Sequence, residues 1–452
     1  MMARHELDQR ETFAHDLEGE GPPSRVRYAV LAAACLLAIV TYLLRVGFAT
    51  ASAQLKGPLG LNSGQIAAMM ASFMIVYGLF EIPWGLVADR LGVRKALAII
   101  ALGGSLTTAA VALVPRLPVG TFWPFAALLA LRALFGMFQA GTFPALSRMM
   151  ADWMPTAERG SAQGLIWMAS RMGGALAPLL IAWLISETGS WSLPLVLASL
   201  TGLAWCAAFV PWFRDRPEQK VGVNPAERRL IEAGRKAGAS GHGRLPWGRA
   251  LASPNVWALC GMYGCLGFSG NFFLTMLPDY LKNHRHLSTG ETSWLSALPL
   301  ACGVVACVLG GVVSDRLILA WGDRRWARRV AGALGMAMAG AAVLATIAVR
   351  DVVPLGVLLC ITFFGNDLAM GPAWAAAADI GERNAGTLGG MMNMFASFAG
   401  AAGAAMIGPL TDAHYLRLPF VIFAAVYWIG ALCWLRVDVL EPLSDDDPAP
   451  DV

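Results

Sequence analysis

A chain of 452 residues in which 57% are apolar and only 14% charged lies far from the composition of soluble domains and points to a lipid bilayer as its solvent. The net charge of +4 gives no case for a nucleic-acid partner. The eight cysteines (Cys35, Cys206, Cys260, Cys265, Cys302, Cys307, Cys360 and Cys433) fall inside apolar stretches without metal-type spacing, so no disulfide, metal or cofactor is expected.

Residues 1–27 are polar and mixed in charge, with no short apolar core before a cleavage site, and read as a cytosolic tail rather than a removable signal. A spanning helix needs about 20 mostly apolar residues. Six such stretches follow, at 28–52, 65–88, 95–115, 123–150, 160–186 and 192–212, and form a first bundle over 28–212. Residues 213–250, with nine basic and four acidic side chains, read as a cytosolic linker. Within it Asn224-Pro225-Ala226-Glu227 offers an N-cap, a first-turn proline and a carboxylate at the third position, so a short helix is expected, ended by Gly238. Six further stretches at 254–281, 292–314, 329–349, 352–378, 385–408 and 418–436 make a second bundle over 251–436, and 437–452 is an acidic cytosolic tail. Basic residues accumulate in loops that are not translocated. The segments assigned to the cytosol hold most of them, whereas the opposite side holds six, Lys56, Arg116, Lys282, Arg285, Arg350 and Arg417. Both termini are therefore expected in the cytosol, with a bacterial inner membrane as the setting and a monomer as the working unit. The fold class is an all-α membrane protein of twelve transmembrane helices in two pseudo-symmetric six-helix bundles.

The second bundle repeats the first. Gly85-Leu86-Val87-Ala88-Asp89-Arg90 after the second span recurs as Gly311-Val312-Val313-Ser314-Asp315-Arg316 after the eighth, an offset of 226 residues. Duplicated bundles of this kind bind solutes near the midplane between the repeats. The first copy runs on through Arg94 to read GLVADRLGVRK, which resembles the loop signature of the major facilitator superfamily. Glycine permits close helix approach, and Asp and Arg at a helix end can bond a neighbouring helix end in one conformation and release it in another. Gly85, Asp89, Arg90, Arg94, Gly311, Asp315 and Arg316 are thus candidate gate residues.

Ionisable groups inside a span cost at least ~2.5 kcal/mol near the bilayer centre and mark sites. The spans contain Arg45, Arg132 and Arg171 against Glu81 and Asp367, and the excess of cations favours an anionic substrate. Arg45 is the strongest candidate, because a guanidinium can make two parallel bonds to a carboxylate. No histidine cluster or nucleophile-base pair lies in the spans, so an enzyme is not expected; the three arginines argue against a cation exporter, and the short linker against a solute receptor.

Tyr42-Leu43-Leu44-Arg45, the run from Arg132 to Gly160, Leu277-Pro278-Asp279-Tyr280-Leu281 and the GGMMNM run near Asn393 resemble the anion:cation symporters, a branch that includes bacterial sugar-acid carriers, sialin and vesicular glutamate transporters. The resemblance covers nearly the whole chain. It implies a cavity lined by Tyr42, Arg45, Tyr77, Ser170, Trp374 and Asn393, holding a sugar acid or related carboxylate, with Gln139, Arg171 and Asn271 as further candidates. It also implies proton-coupled uptake, carried in that branch by an Asp before the first-span Arg and a Glu in the fourth span. Here those positions are Leu44 and Gln139, which do not titrate. Asp367, at nearly the pseudo-symmetric depth of Gln139, is the favoured substitute. Glu81 is the second candidate and stands about 12 Å along its helix from Asp89, closer to the gate. Without a titrating acid the chain would be an anion exchanger or a uniporter.

Overall fold

The computed structural model describes residues 21–55, 59–116, 122–232, 245–275, 277–412 and 417–443. Its spanning helices are α1 (Val26–Ser52), α2 (Ser63–Leu91), α3 (Val93–Ala110), α4 in two parts (Phe122–Gln139 and Thr142–Trp153), α5 (Arg159–Thr188), α6 (Leu193–Trp212), α7 (Pro254–Thr275), α8 (Thr289–Trp321), α9 (Arg324–Ala345), α10 in two parts (Val352–Leu368 and Met370–Gly381), α11 (Ala385–Asp412) and α12 (Leu418–Arg436). Helices suit a medium without water because each bonds its own backbone. Their outward faces carry exposed leucines such as Leu106, Leu179 and Leu432, and tryptophans ring both rims, with Trp123 and Trp294 at one and Trp321 and Trp326 at the other, as membrane interfaces favour. Capping boxes start α2 (Asn62 with Gln65) and α8 (Ser288 with Glu291).

Packing within the two halves follows one pattern. The neighbours α1/α5, α2/α4, α3/α6, α3/α4 and α1/α6 reappear as α7/α11, α8/α10, α9/α12, α9/α10 and α7/α12. The halves meet along two seams, α2 with α11 and α5 with α8, and a shift of 226 residues turns one seam into the other. A Cβ on Gly85 would lie 2.4 Å from the Gly386 carbonyl oxygen, and one on Gly311 would lie 2.1 Å from that of Gly160. Asp89 accepts the backbone N–H groups of Gly386 and Thr387 at 3.0 and 2.7 Å; Asp315 accepts those of Gly160 and Ser161 at 3.1 and 2.6 Å. Each carboxylate therefore caps the first turn of a helix in the other half, where orphan N–H groups and the helix dipole favour negative charge. Further ion pairs close this motif-bearing face: Arg328 with Asp315 at 2.6 Å, Arg159 with Asp379 at 2.6 Å, and Arg328 with Asp379 at 3.6 Å.

Arg90 and Arg316 are exposed and bond no described partner across the seam. Successive helix residues point about 100° apart, so when Asp89 and Asp315 face the seam the next side chain does not. Arg94 turns to its own half instead, donating from Nε to the Val210 carbonyl at 2.7 Å and from its backbone N–H to Asp215 at 2.8 Å. A bulky residue at Gly311 is expected to hold this face open. Overpacking costs about 1–3 kcal/mol, roughly tenfold to a hundredfold in the equilibrium. Gly311→Val should therefore lower labelling of a cysteine introduced at Asn393 from the opposite face, and unchanged labelling would show that the seam is not the gate.

Of the linker, a helix runs over Pro225–Glu232, and Asn224 Oδ1 accepts the Glu227 N–H at 2.9 Å as an N-cap; Gly238 lies outside the described residues. Glu227 reaches past its own helix to accept the N–H groups of Val26 and Arg27 at the start of α1, the Ser24 hydroxyl and the Arg27 guanidinium. Burial alone would raise its pKa, but these bonds outweigh it and leave the carboxyl below its ordinary value. The linker clasp is thus intact at neutral pH and weakens only as pH falls through that lowered value.

Candidate functional site

A cavity of about 170 Å³ opens between the halves, bordered by α1, α2, α4, α5, α7, α10 and α11. Of the residues singled out from the sequence, it brings together Tyr42, Arg45, Tyr77, Arg171 and Asn393. Arg45 sits on aromatic faces, its Cζ 4.8 Å from the ring centre of Phe73, 4.9 Å from Tyr77 and 5.8 Å from Tyr42. It has no carboxylate partner among the described residues. Arg132 lies behind it, buried, with its Cζ 4.2 Å from the ring centre of Phe48, 4.7 Å from that of Phe73 and 4.7 Å from that of Phe135. The ring of Phe73 thus serves two guanidiniums, and the quadrupoles of these rings offset part of the cost of burying cations.

Arg171 has a carboxylate. Its Nε and Nη2 donate to Asp367 Oδ2 and Oδ1 at 2.9 and 2.8 Å, a parallel bidentate pair joining α5 of one half to α10 of the other. Asp367 is fully buried and also accepts from Asn366 Nδ2 at 3.0 Å and the Cys307 thiol at 3.7 Å. Asn366 is held in turn by the Tyr427 hydroxyl at 3.1 Å. The break in α10 at Ala369 follows directly after this site.

Glu81 is nearer the cavity than its spacing from Asp89 implied. Its Oε1 accepts from Asn393 Nδ2 at 2.8 Å and from the Ser397 hydroxyl at 3.0 Å, and both donors border the cavity. Asn393 also reaches the Tyr77 hydroxyl at 3.3 Å. Helix α11 crosses α2 here, with a Cβ on Gly390 falling 2.4 Å from the Glu81 carbonyl oxygen; distance along one helix could not show that approach. The shift of 226 residues carries Glu81 and Ser397 onto Cys307 and Arg171. Each seam therefore holds one intramembrane carboxyl group at corresponding depth, Glu81 directly and Asp367 inserted from α10.

The remaining candidates lie elsewhere. Gln139 ends the first part of α4 and packs against α3, where a Cβ on Gly104 would meet its Nε2 at 3.0 Å. Ser170 is buried and donates to the Ile166 carbonyl at 2.9 Å, within its own helix. Trp374 stands one layer below the cavity, with its indole N–H donated to the Tyr263 hydroxyl at 2.7 Å. The side chain of Asn271 lies outside the described residues. Three residues not singled out from the sequence complete the floor. Phe143 and Trp167 stack at 4.4 Å and 9°, and Trp167 and Tyr263 approach Trp374 at 5.8 and 5.9 Å. This aromatic layer draws on both halves and separates the cavity from the closed motif face.

A cavity at the junction of two repeats, walled by helices of both halves, is the architecture of a solute carrier. Residues 34–404 match the Major Facilitator Superfamily. The chain belongs to that superfamily. Among curated relatives, "Probable sulfoacetate transporter SauU" of Cupriavidus necator is 30% identical over 427 residues, covering 94% of this chain and 96% of the relative. The D-galactonate transporter of Escherichia coli is 26% identical over 428 residues, covering 91% and 96%. Among solved structures, the major facilitator superfamily proton:xylose symporter XylE shares the fold with a TM-score of 0.69 at 16% identity, over 90% of this chain and 93% of that one. This member of the superfamily is a membrane transporter, not an enzyme.

Proposed function

We propose that the protein imports a small organic anion, a sugar acid or related acid, by proton-coupled alternating access. The observation that carries the anion is Arg45, a guanidinium bordering the cavity with no carboxylate among the described residues. The relatives named for sulfoacetate and D-galactonate support the same class. Arg45 binds the acid group through paired bonds, while Tyr42, Tyr77 and Asn393 bond its hydroxyl or further oxygen atoms. One chain supplies the whole cavity, in keeping with a monomer, and the basic motif face and both termini are cytosolic, so the closed seams leave the cavity facing outward.

Asp367 and Arg171 supply the coupling. Protonating Asp367 alone strands Arg171 in a low-dielectric site at a cost of about 3–5 kcal/mol. An anion arriving alone meets an Arg171 that is already neutralised. When both arrive, the anion held at Arg45 supplies within the cavity the negative charge that Arg171 has lost from Asp367, so proton and anion each favour binding of the other, and by linkage the coupling is reciprocal. Glu81, bonded across the other seam, releases Asn393 and Ser397 when the halves rock. Uptake of labelled D-galactonate and sulfoacetate into proteoliposomes tests the reading. Accumulation against a gradient is expected when an inward proton gradient is imposed; transport that ignores the gradient would indicate anion exchange or uniport.

A further inference from the structure

Trp167 has an unanswered donor. It lines the cavity, is 5% exposed, and its Nε1 has no hydrogen-bond acceptor among the described residues. An indole N–H can only donate, and a buried donor without an acceptor carries a penalty that a folded protein rarely tolerates without a reason. The ring is not free to turn away. It is stacked on Phe143 at 4.4 Å and 9°, and Trp374 of the other half stands against it at 5.8 Å. Its neighbour makes the contrast: Trp374 in the same aromatic layer already donates to Tyr263 at 2.7 Å.

Trp167 lies four residues before Arg171 on α5, hence on the same helix face and about 6 Å closer to the motif face. A cation and a neutral donor in that relation suit an oxygen-bearing group at the floor of the cavity, away from the acid group held at Arg45. We propose that the Trp167 N–H is a specificity contact, donating to an oxygen of the bound anion and selecting acids with a second oxygen-bearing end over acids with an apolar tail. This rests on the anion reading above and deepens it.

The test compares wild type, Trp167→Phe, Trp167→His and Trp434→Phe in proteoliposomes, using D-galactonate, sulfoacetate and butyrate. Trp434 is the control because its buried N–H also lacks a described acceptor, yet it packs against Gly332 between α9 and α12. Trp167→Phe keeps the stack and removes the donor. Its KM should rise roughly tenfold to a hundredfold for sulfoacetate, the range for a hydrogen bond to a charged group, and roughly twofold to tenfold for D-galactonate, whose second end is a neutral hydroxyl, with kcat nearly unchanged. Wild-type preference for these anions over butyrate should shrink by the same factors. Trp167→His, which keeps a ring donor, should restore part of the KM, and Trp434→Phe should leave it unchanged. An unaltered KM in Trp167→Phe, with Arg45→Ala inactive, overturns the Trp167 assignment while the anion reading stands. A loss shared equally by Trp434→Phe, or no rescue by histidine in a transporting variant, also overturns it. Wild type that carries none of the three anions overturns both.

Discussion

Arg45→Ala is expected to reduce anion uptake by at least about thirtyfold while leaving the protein inserted and folded. Removing one partner of a buried, hydrogen-bonded charge pair costs about 2–5 kcal/mol, and the alanine variant leaves the anion facing aromatic walls where the guanidinium stood. Folding should be little affected, because Arg45 contributes ring contacts with Phe73, Tyr77 and Tyr42 and no described ion pair. Arg45→Lys separates charge from geometry. It keeps a positive charge but lacks the planar fork, so uptake should recover in part, with a raised KM. Arg132 does not take over, since Phe73 stands between the cavity cluster and its buried guanidinium. Normal uptake by Arg45→Ala, measured in proteoliposomes at matched protein density, would remove the anion site from α1.

Much of this architecture was legible in the sequence because the bilayer imposes it. Twelve apolar stretches correspond to α1–α12, most with ends within a few residues, although α8 runs on to Trp321, past the expected 314, and α9 already starts at Arg324. The six-residue repeat lies inside the ends of α2 and α8 rather than in loops and extends through both seams. The breaks in α4 and α10 carry a signal that the apolar span pattern hides. They fall at Ala140–Gly141 and Ala369, and Pro144 and Pro372, three residues further on, cannot donate to the Ala140 and Leu368 carbonyls four residues before them. Charges inside spans stood out by cost alone, which is how Arg45, Arg171, Asp367 and Glu81 came into view. Their partners did not, since Arg171 and Asp367 are 196 residues apart and linear spacing says nothing about which helices cross. The aromatic floor was hidden for a different reason. Phe143, Trp167 and Tyr263 are indistinguishable, residue by residue, from ordinary helix packing, and only the unpaired indole N–H sets Trp167 apart.

Asp367→Asn is expected to uncouple transport from the proton gradient. Asparagine has nearly the shape of a protonated aspartic acid, so the variant mimics the state in which Arg171 has been released. Two opposite changes should follow. Binding of the anion should tighten, because Arg171 no longer has a competing carboxylate, and its pH dependence through this site should vanish. Gradient-driven accumulation should be lost while exchange of internal for external anion persists, since exchange returns the carrier loaded and does not require the empty, deprotonated form to reorient. The sign in wild type follows from the direction of the proposed coupling: anion enters with a proton, so uptake should rise as outer pH falls. Glu81→Gln provides the comparison. Its amide oxygen can still accept from Asn393 and Ser397, so a variant that transports with the gradient intact locates coupling on α10, whereas loss of coupling in Glu81→Gln with coupling retained in Asp367→Asn would move it to the other seam. If both variants accumulate substrate as wild type does, the two carboxyl groups are structural and the carrier runs by exchange or down the anion gradient.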